Sequence, residues 1–571
     1  MILICPECGT KNRIPDVSRP GTVYRCGKCK EKLIYTPETG LPRDNKSDIP
    51  TADTAERGRD TLKPLRTFLG RLSYLHPLLF AISPVLLLYS LNLADVTPSA
   101  VAMPLIAALG LGVLILLLSL LVIALIYKIR RRSDTPAQTG IWDFKKAAIT
   151  TSIFLILFFN YGHAFAIVGG EWYGLAIVWI LLFIIGAILI LRTRRNLGNL
   201  TGFLAVFGAI LVILPAIEII NHEIQFGGRD ATSAGIVEIN ALDVASSETL
   251  PDIYYIVPDR YGSVNSLYEN FDFDNSEFVD YLTGKGFFVA SDSMSNYSRT
   301  FASLASSLNM EYINYLTEDF GEDFGHNYPM WELIQDNAVW RFLKSEGYQF
   351  INLGDKWDGT RVNYYADVNY NLFTIQEFPW LLFTKTLAYP FCVELFDIVQ
   401  DPRVTHYENV LYHFEKLAEI PNVDGPTFTF AHMLIPHDPY VFDSNGNYKT
   451  PHEEQQKTRI DNFIDNLTFL NSQLKVLIDE LLASSDVPPI IILQADEGPF
   501  SLIGQWLGED ATEAALRVKM GILNAYYLPE VDNDVLYSAI TPVNSFRLVF
   551  DLYFGTDLGL RLRPITGGNL I

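Results

Sequence analysis

Ile253-Tyr254-Tyr255-Ile256-Val257-Pro258-Asp259 is a near-continuous apolar run that ends on a carboxylate. Such a run predicts a strand buried on both faces of a mainly parallel sheet. Ile490-Ile491-Ile492-Leu493 reads the same way, and Thr427-Phe428-Thr429-Phe430 leads into a loop rich in His, Pro and Asp. Residues 461–483 read as a long amphipathic helix running into the 490–493 strand. Short β runs alternating with amphipathic helices predict an α/β class, layered helix, sheet, helix.

In open α/β sheets, ligands bind outside the carboxyl ends of the strands. Three such ends are polar here: Pro258-Asp259-Arg260-Tyr261-Gly262, then His432-Met433-Leu434-Ile435-Pro436-His437-Asp438-Pro439, then Gln494-Ala495-Asp496-Glu497-Gly498-Pro499. Together they are expected to bring carboxylates and a histidine to one rim. Between them, Asn296-Tyr297-Ser298-Arg299-Thr300 precedes a helix-like stretch from Phe301 to Leu308. Thr300 is expected at its N-terminal end, where free N–H groups and the dipole favour an alkoxide and a phosphoryl group attached to it. A hydroxyl attacks well only when its pKa is lowered, and a coordinated divalent metal does this. Plainer roles compete with these: a turn paired to Arg260 for Asp259, a helix N-cap for Thr300 with Ser298 as its rival, and a satisfied loop histidine for His437. His432 is assigned to the strand itself, and His326, His406, His413 and His452 to the surface.

Upstream, five apolar stretches at about 76–93, 101–127, 147–168, 173–192 and 201–220 are each long enough to cross a bilayer core of about 30 Å. Lys and Arg gather before the first (Arg57, Arg59, Lys63, Arg66, Arg71), between the second and third (Lys128 to Arg132, Lys145, Lys146), and between the fourth and fifth (Arg192, Arg194, Arg195). The loops near Asp95 and Gly169-Gly170-Glu171 carry neither. The positive-inside rule therefore predicts a cytoplasmic N-terminus and an extracytoplasmic chain after residue 221. Asn160 and His163 are the main polar residues inside the spans. His163 lies near the outer end of its helix, which favours an interfacial or structural role, and no chain of buried charge suggests a transporter.

At the start, Cys5-Pro6-Glu7-Cys8 and Cys26-Gly27-Lys28-Cys29 form two C-x-x-C pairs, whose four thiolates predict a tetrahedral Zn²⁺ site in a cytoplasmic zinc ribbon over 1–36. Zinc would supply the folding energy of so short a segment. The first residues run straight into these pairs, so export is expected to rest on the internal helices. Residues 37–73 read as a solvated linker. Cys392 stands alone, as a small buried hydrophobe without a disulfide partner. The 571 residues exceed one compact unit, and the net charge of −22 argues against nucleic-acid binding.

Strand–Asp259, a Ser/Thr at a helix start, His437-x-Pro439 and strand–Asp496-x-Gly498 resemble, in order and spacing, the alkaline phosphatase/sulfatase superfamily. The closest likeness by motif is to membrane-bound lipoteichoic acid synthase-like and phosphoethanolamine transferase-like proteins. The resemblance covers about 240–560, including Gly347-Tyr348, Asn352-Leu353-Gly354 and Ile540 to Arg547. It implies an alkaline phosphatase-like three-layer sandwich over 222–571, placed after an all-α five-helix membrane domain over 74–221. It implies Asp259 and Asp496 as metal ligands, Thr300 as metal-touching nucleophile, and His437 on the substrate's phosphoryl oxygens or a second metal. Where the family commonly has Asp-His-Gly, this chain has Asp496-Glu497-Gly498. With Glu497 as a ligand the site is oxygen-rich, which moves the expected metal from Zn²⁺ toward Mn²⁺ or Mg²⁺. No Cys/Ser-x-Pro-x-Arg motif marks a sulfatase at 298–300. The expected activity is a metal-dependent phosphotransferase or phosphohydrolase acting on lipid head groups or cell-envelope polymers. The alternative is a catalytically degenerate envelope-ligand sensor or scaffold, signalling through the ribbon to a cytoplasmic protein partner.

Overall fold

The structure, a computed structural model, describes residues 2–4, 11–13, 23–30, 32–34, 74–130, 143–226, 239, 250–316, 327–502, 504 and 512–562. It divides into two units, Met1–Leu69 and Gly70–Ile571. In the first, β1 (Ile2–Ile4) pairs antiparallel with β2 (Lys11–Arg13), and β3 (Val23–Arg25) with β4 (Lys32–Ile34). Cys26 and Cys29 lie in the turn after β3, where the buried Cys26 accepts the Lys30 N–H at its carbonyl. Cys5, Cys8, the expected linker and His326 lie outside the described residues.

The second unit opens with five apolar helices: α1 (His76–Ser90), α2 (Pro98–Arg130), α3 (Phe144–Val168), α4 (Trp172–Arg192) and α5 (Gly198–Phe226). Leu117, Leu121, Ile177, Leu189 and Phe203 point outward, a large apolar surface that water would not tolerate and lipid would. Four of the five are long and apolar enough to cross a membrane. The expected first span is shorter than its apolar stretch. Its 15 residues reach about 22 Å at 1.5 Å per residue. It stops where Asn92 folds back, its backbone N–H bonding Tyr89 O at 2.9 Å and its side-chain amide bonding Leu88 O at 2.6 Å.

From residue 250 the chain forms a mixed seven-stranded sheet in the order β6 (Phe288–Val289), β11 (Asn524–Tyr527), β10 (Ile490–Gln494), β5 (Ile253–Pro258), β9 (Thr427–Met433), β7 (Gln349–Leu353), β8 (Val368–Tyr370). The centre is parallel, and β11 alone of these seven strands runs opposite to the rest. Successive strand residues face opposite sides. Ile253, Tyr255 and Val257 therefore pack into one core with Phe428, Phe430, Ile490 and Ile492, while Tyr254 and Ile256 pack into the other. Helices cover both faces: α6 (Thr300–Asn309) joins the first core through Ala302, Leu304 and Leu308. The long α9 (Arg459–Ser484) joins the second through Phe463, Leu467 and Leu474, as its amphipathic pattern predicts. The fold is the expected three-layer α/β sandwich. Between these lie α7 (Glu377–Thr384) and α8 (Pro402–Glu419), followed after β10 by α10 (Glu513–Met520). Two expectations fail locally. His406 and His413 on α8 are buried rather than at the surface, and Cys392 is half-buried rather than buried. The histidines face inward because α8 closes over the loop after β7, where His413 Nε2–H donates to Gly354 O at 2.8 Å.

Candidate functional site

Strand register builds the site. Val257 on β5 pairs with His432 on β9, and Asp259 follows two residues after Val257. By the two-residue alternation, Asp259 and His432 project to the same face, the one carrying Phe428 and Phe430. On β10 the same parity runs Ile490, Ile492, Gln494 and on to Asp496. Asp259, His432 and Asp496 each offer one ligand atom, all within 4.8 Å of one another, and all three are buried. Burial leaves one atom of each without a hydrogen-bond partner: Asp259 Oδ1, His432 Nε2 and Asp496 Oδ2. Buried polar atoms are rarely orphaned, so three converging orphans fit a cation that would satisfy them together.

The rest of each group is held in place. The His432 Nδ1 lies 2.8 Å from the Thr360 hydroxyl, which turns Nε2 toward the carboxylates. Asp496 Oδ1 accepts the Arg260 backbone N–H at 3.4 Å. Arg260 is a non-glycine residue at φ 66°, in the left-handed region that such residues rarely adopt. Burial pushes Asp259 up to about 7 against the pull of Arg260, with Glu497 adding to the rise. Burial, then the Asp259 and Glu497 charges, push Asp496 well above the usual carboxylate range. Burial also lowers His432 to about 3, so its ring is neutral and carries a free lone pair at pH 7. Two destabilised carboxylates and a neutral imidazole make a set that a divalent cation suits.

Thr300 opens α6 with Arg299 as an extended N-cap whose side chain makes no cap bond. The half-buried Thr300 hydroxyl lies close enough to the Asp496 carboxylate to pull against its raised pKa. Ser298, its rival, is 2% exposed. Glu497 is not in that group of three: its Oε1 takes Lys519 Nζ and, at 3.0 Å, Arg260 Nε, while its charge raises both aspartates. Gly498 follows because a Cβ there would meet Val518 O at 2.4 Å. Arg260 Nη1 also reaches Asp438 Oδ1 at 3.0 Å. His437 lies on the same loop as Asp438, and its Nδ1–H donates to the Asp438 carbonyl. Burial, then Arg260, lowers His437 to about 4, so this ring too is neutral at pH 7.

The site thus gathers Asp259, Thr300 and Asp496, with His437 on the adjoining loop, and sets Glu497 among cations. Sequence reasoning left His432 on its strand without a chemical role. The available signal was its parity: Phe428-x-Phe430-x-His432 puts the imidazole on the same face as the two core phenylalanines.

No family model matches the chain, and no curated protein matches it. Solved structures similar to it include the periplasmic domain of a phosphoethanolamine transferase from Campylobacter jejuni, at 13% identity over 54% of this chain and 91% of that one, with a TM-score of 0.35. An integral membrane lipooligosaccharide phosphoethanolamine transferase from Neisseria meningitidis is 12% identical over 84% of this chain and 94% of that one, with a TM-score of 0.35. An alkaline phosphatase superfamily protein from Vibrio parahaemolyticus is 12% identical over 58% and 77%, with a TM-score of 0.34. The chemistry open to this chain rests on its own residues.

Proposed function

We propose that the chain is a membrane-anchored, metal-dependent phosphotransferase or phosphohydrolase acting on a phosphoester of a lipid head group or cell-envelope polymer. The observation that carries this reading is the convergence of three orphaned buried ligand atoms beside a hydroxyl at a helix N-terminus. Asp259, Asp496, His432 and the Thr300 oxygen would hold the cation. The imidazole makes the set mixed, which favours Zn²⁺ or Mn²⁺ over Mg²⁺. Such a cation lowers the pKa of a bound hydroxyl and offsets charge on the phosphoryl oxygens.

Thr300 is the nucleophile in this reading. Its hydroxyl, acidified when the cation is bound, would give its proton to water at the open side of the site as the Thr300 oxygen attacks phosphorus in line. The ester oxygen leaves on the opposite side with its bonding pair, and a phosphothreonine remains. Water or an acceptor alcohol then displaces Thr300, giving hydrolysis or transfer. The first N–H groups of α6 face the transferred group and favour its negative charge. Arg260, fixed by Glu497 and Asp438, and the neutral His437 would contact phosphoryl oxygens at the open side of the site.

The domain plan belongs to this proposal: a zinc ribbon over 1–36 with Cys5, Cys8, Cys26 and Cys29 as ligands, a linker over 37–73, the anchor over 74–221 and an extracytoplasmic domain over 222–571.

The test uses the full chain in detergent with Mn²⁺, Mg²⁺ or Zn²⁺ added in turn, assayed on p-nitrophenyl phosphate and a head-group-labelled phospholipid. Metal-dependent turnover, lowered about 10³-fold or more in Thr300→Ala with the metal retained, supports the reading. No turnover with any metal, together with no bound metal, overturns it in favour of a non-catalytic envelope-ligand sensor.

A further inference from the structure

Two cavities follow one another along α2. The upper one, 670 Å³, has a mixed lining with most of the polar groups: the loop Asp95–Ser99 and the first turn of α2 meet Trp331, Asp358, Arg361 and Tyr364 of the α/β domain. The lower one, 370 Å³, is apolar: Met103, Ala107 and Leu111 of α2 meet Phe158 of α3 and Leu382 and Phe383 of α7. Ala100 lines the first and Met103 the second, one helical turn or about 5 Å further on.

The wall between the groove and the sheet domain is α7, which belongs to that domain in sequence and to the anchor in packing. Phe378 is 1% exposed and stands edge-on to Tyr89 of α1 at 6.3 Å. Leu387 N–H bonds Phe158 O at 2.8 Å, and Gly162 N–H bonds Lys385 O at 2.9 Å. A Cβ on Gly162 would lie 2.4 Å from Thr384 O, so the close approach needs glycine. Because α1 is short, Tyr89 near its end packs with Phe159, well before α3 finishes at Val168. The segment from Phe378 to Leu387 occupies the space left beyond α1, at a depth set by the spanning helices. Beyond it Leu395, Phe396 and Ile398 are 53%, 60% and 70% exposed, an apolar cluster continuous with this dock.

We infer that the polar cavity and the apolar groove form one binding site for a membrane phospholipid, with the head group above and one acyl chain below. The occupant is an amphiphile because the site is one. Its lower half is walled by spanning helices and carries almost no polar surface, while its upper half is ringed by carboxylates, a guanidinium and aromatic rings. The site is tied to the ligand cluster without belonging to it. Gly359 and Arg361 line the polar cavity, and Thr360 between them holds His432. The first N–H of α7, from Glu377, donates to Asp358 Oδ2 at 3.2 Å, so groove wall and cavity wall are bonded to each other. A lipid seated here braces the turn that orients His432.

The full chain, purified in mild detergent and delipidated in steps, is weighed by native mass spectrometry, with co-purifying phospholipid measured as lipid phosphorus. The wild type retains about one phospholipid per chain after bulk lipid is gone. Ala107→Trp, at an exposed groove position, lowers retention about fivefold or more, whereas Leu117→Trp, exposed on the same helix beyond the groove, leaves it unchanged. Equal retention in Ala107→Trp and wild type overturns the inference, as does a wild type that keeps only detergent. Should Ala107→Trp not fold, Tyr364→Ala, at 78% exposure on the polar side, decides it: weakened retention supports the site and unchanged retention overturns it. Lipid retention is read without turnover, so a failed activity assay does not bear on it.

Discussion

Among the described residues His432 has one hydrogen-bond partner, the Thr360 hydroxyl at Nδ1, with Trp357 edge-on at 5.6 Å. A ligand histidine is aimed by the group on its other nitrogen, and losing that partner typically costs about 10–100-fold in metal affinity. Thr360→Val is expected to weaken binding by that factor and Thr360→Ser to restore most of it, measured by competition against a chelator of known affinity; an unchanged affinity in the valine variant would show that Thr360 does not position the ring. A second buried histidine sets a pH response. His413 donates from Nε2 to Gly354 O and has no partner at Nδ1, and burial holds its pKa below the ordinary value. The unfolded chain takes up this proton near pH 6.5, and the folded chain resists it to lower pH. The stability His413 contributes is therefore full above about pH 6.5 and is lost as pH falls toward its folded value. Asp355 beside it loses stability only in stronger acid. Burial alone would raise it, but His406, His413 and the Lys356 N–H hold it below the usual carboxylate range. Thermal midpoints at pH 7.5 and 5 are expected to drop less in His413→Gln, which can still donate to Gly354 O; an equal drop would sink this account. Asp259 and Asp496 were legible because each ends a short apolar run. His406 and His413 were not, since a lone histidine on a polar-looking helix gives no sign of which face a distant loop will cover.

At the scale of elements, the two apolar runs that suggested buried strands are the central strands β5 and β10, each buried along its whole length. The α/β class was legible for that reason: a strand covered on both faces needs no alternation, so its sequence shows an unbroken run. Register was not legible, because it depends on which strands become neighbours. One tie between elements is testable. Lys519 on α10 and Glu497 after β10 are 1% and 4% exposed along their side chains, and they pair directly, with Arg260 adding a second cation. Removing one partner of a buried pair strands the other charge and typically costs about 3–5 kcal/mol. Lys519→Met is expected to destabilise the chain toward the lower part of that range, because Arg260 still faces Glu497, and adding Glu497→Gln to recover part of the loss, both measured by thermal unfolding. A double variant no more stable than the single one would mean that the pair contributes through something other than charge.

For the whole molecule, the arrangement of loops converts a charge pattern into a topology. The two loops free of Lys and Arg meet the α/β domain. Asn327 N–H bonds Ala94 O at 2.8 Å, and Trp172 lies edge-on to Phe391 at 5.2 Å. The basic ends gather opposite, where Tyr74 before α1 packs on Phe144 at the start of α3, 5.7 Å between rings. Thus α1 joins the two faces despite its 15 residues, because α7 completes the layer beyond its end. That compensation was invisible in the sequence: residues 372–399 are apolar without helical period, and only the gap above a short helix explains where they go. With basic loops inside, the proposed topology would put the α/β domain outside, within reach of a lipid-anchored substrate. An epitope inserted at Asn445, in an exposed turn of the α/β domain, is expected to bind antibody on sealed right-side-out vesicles. One placed ahead of Tyr74 is expected to bind only after permeabilisation. Both tags on one side would mean that α1 does not cross, and that four spans return the chain to the side where it began. The basic loops would then alternate against the rule, and the proposed access to outer-leaflet substrates would fail with it.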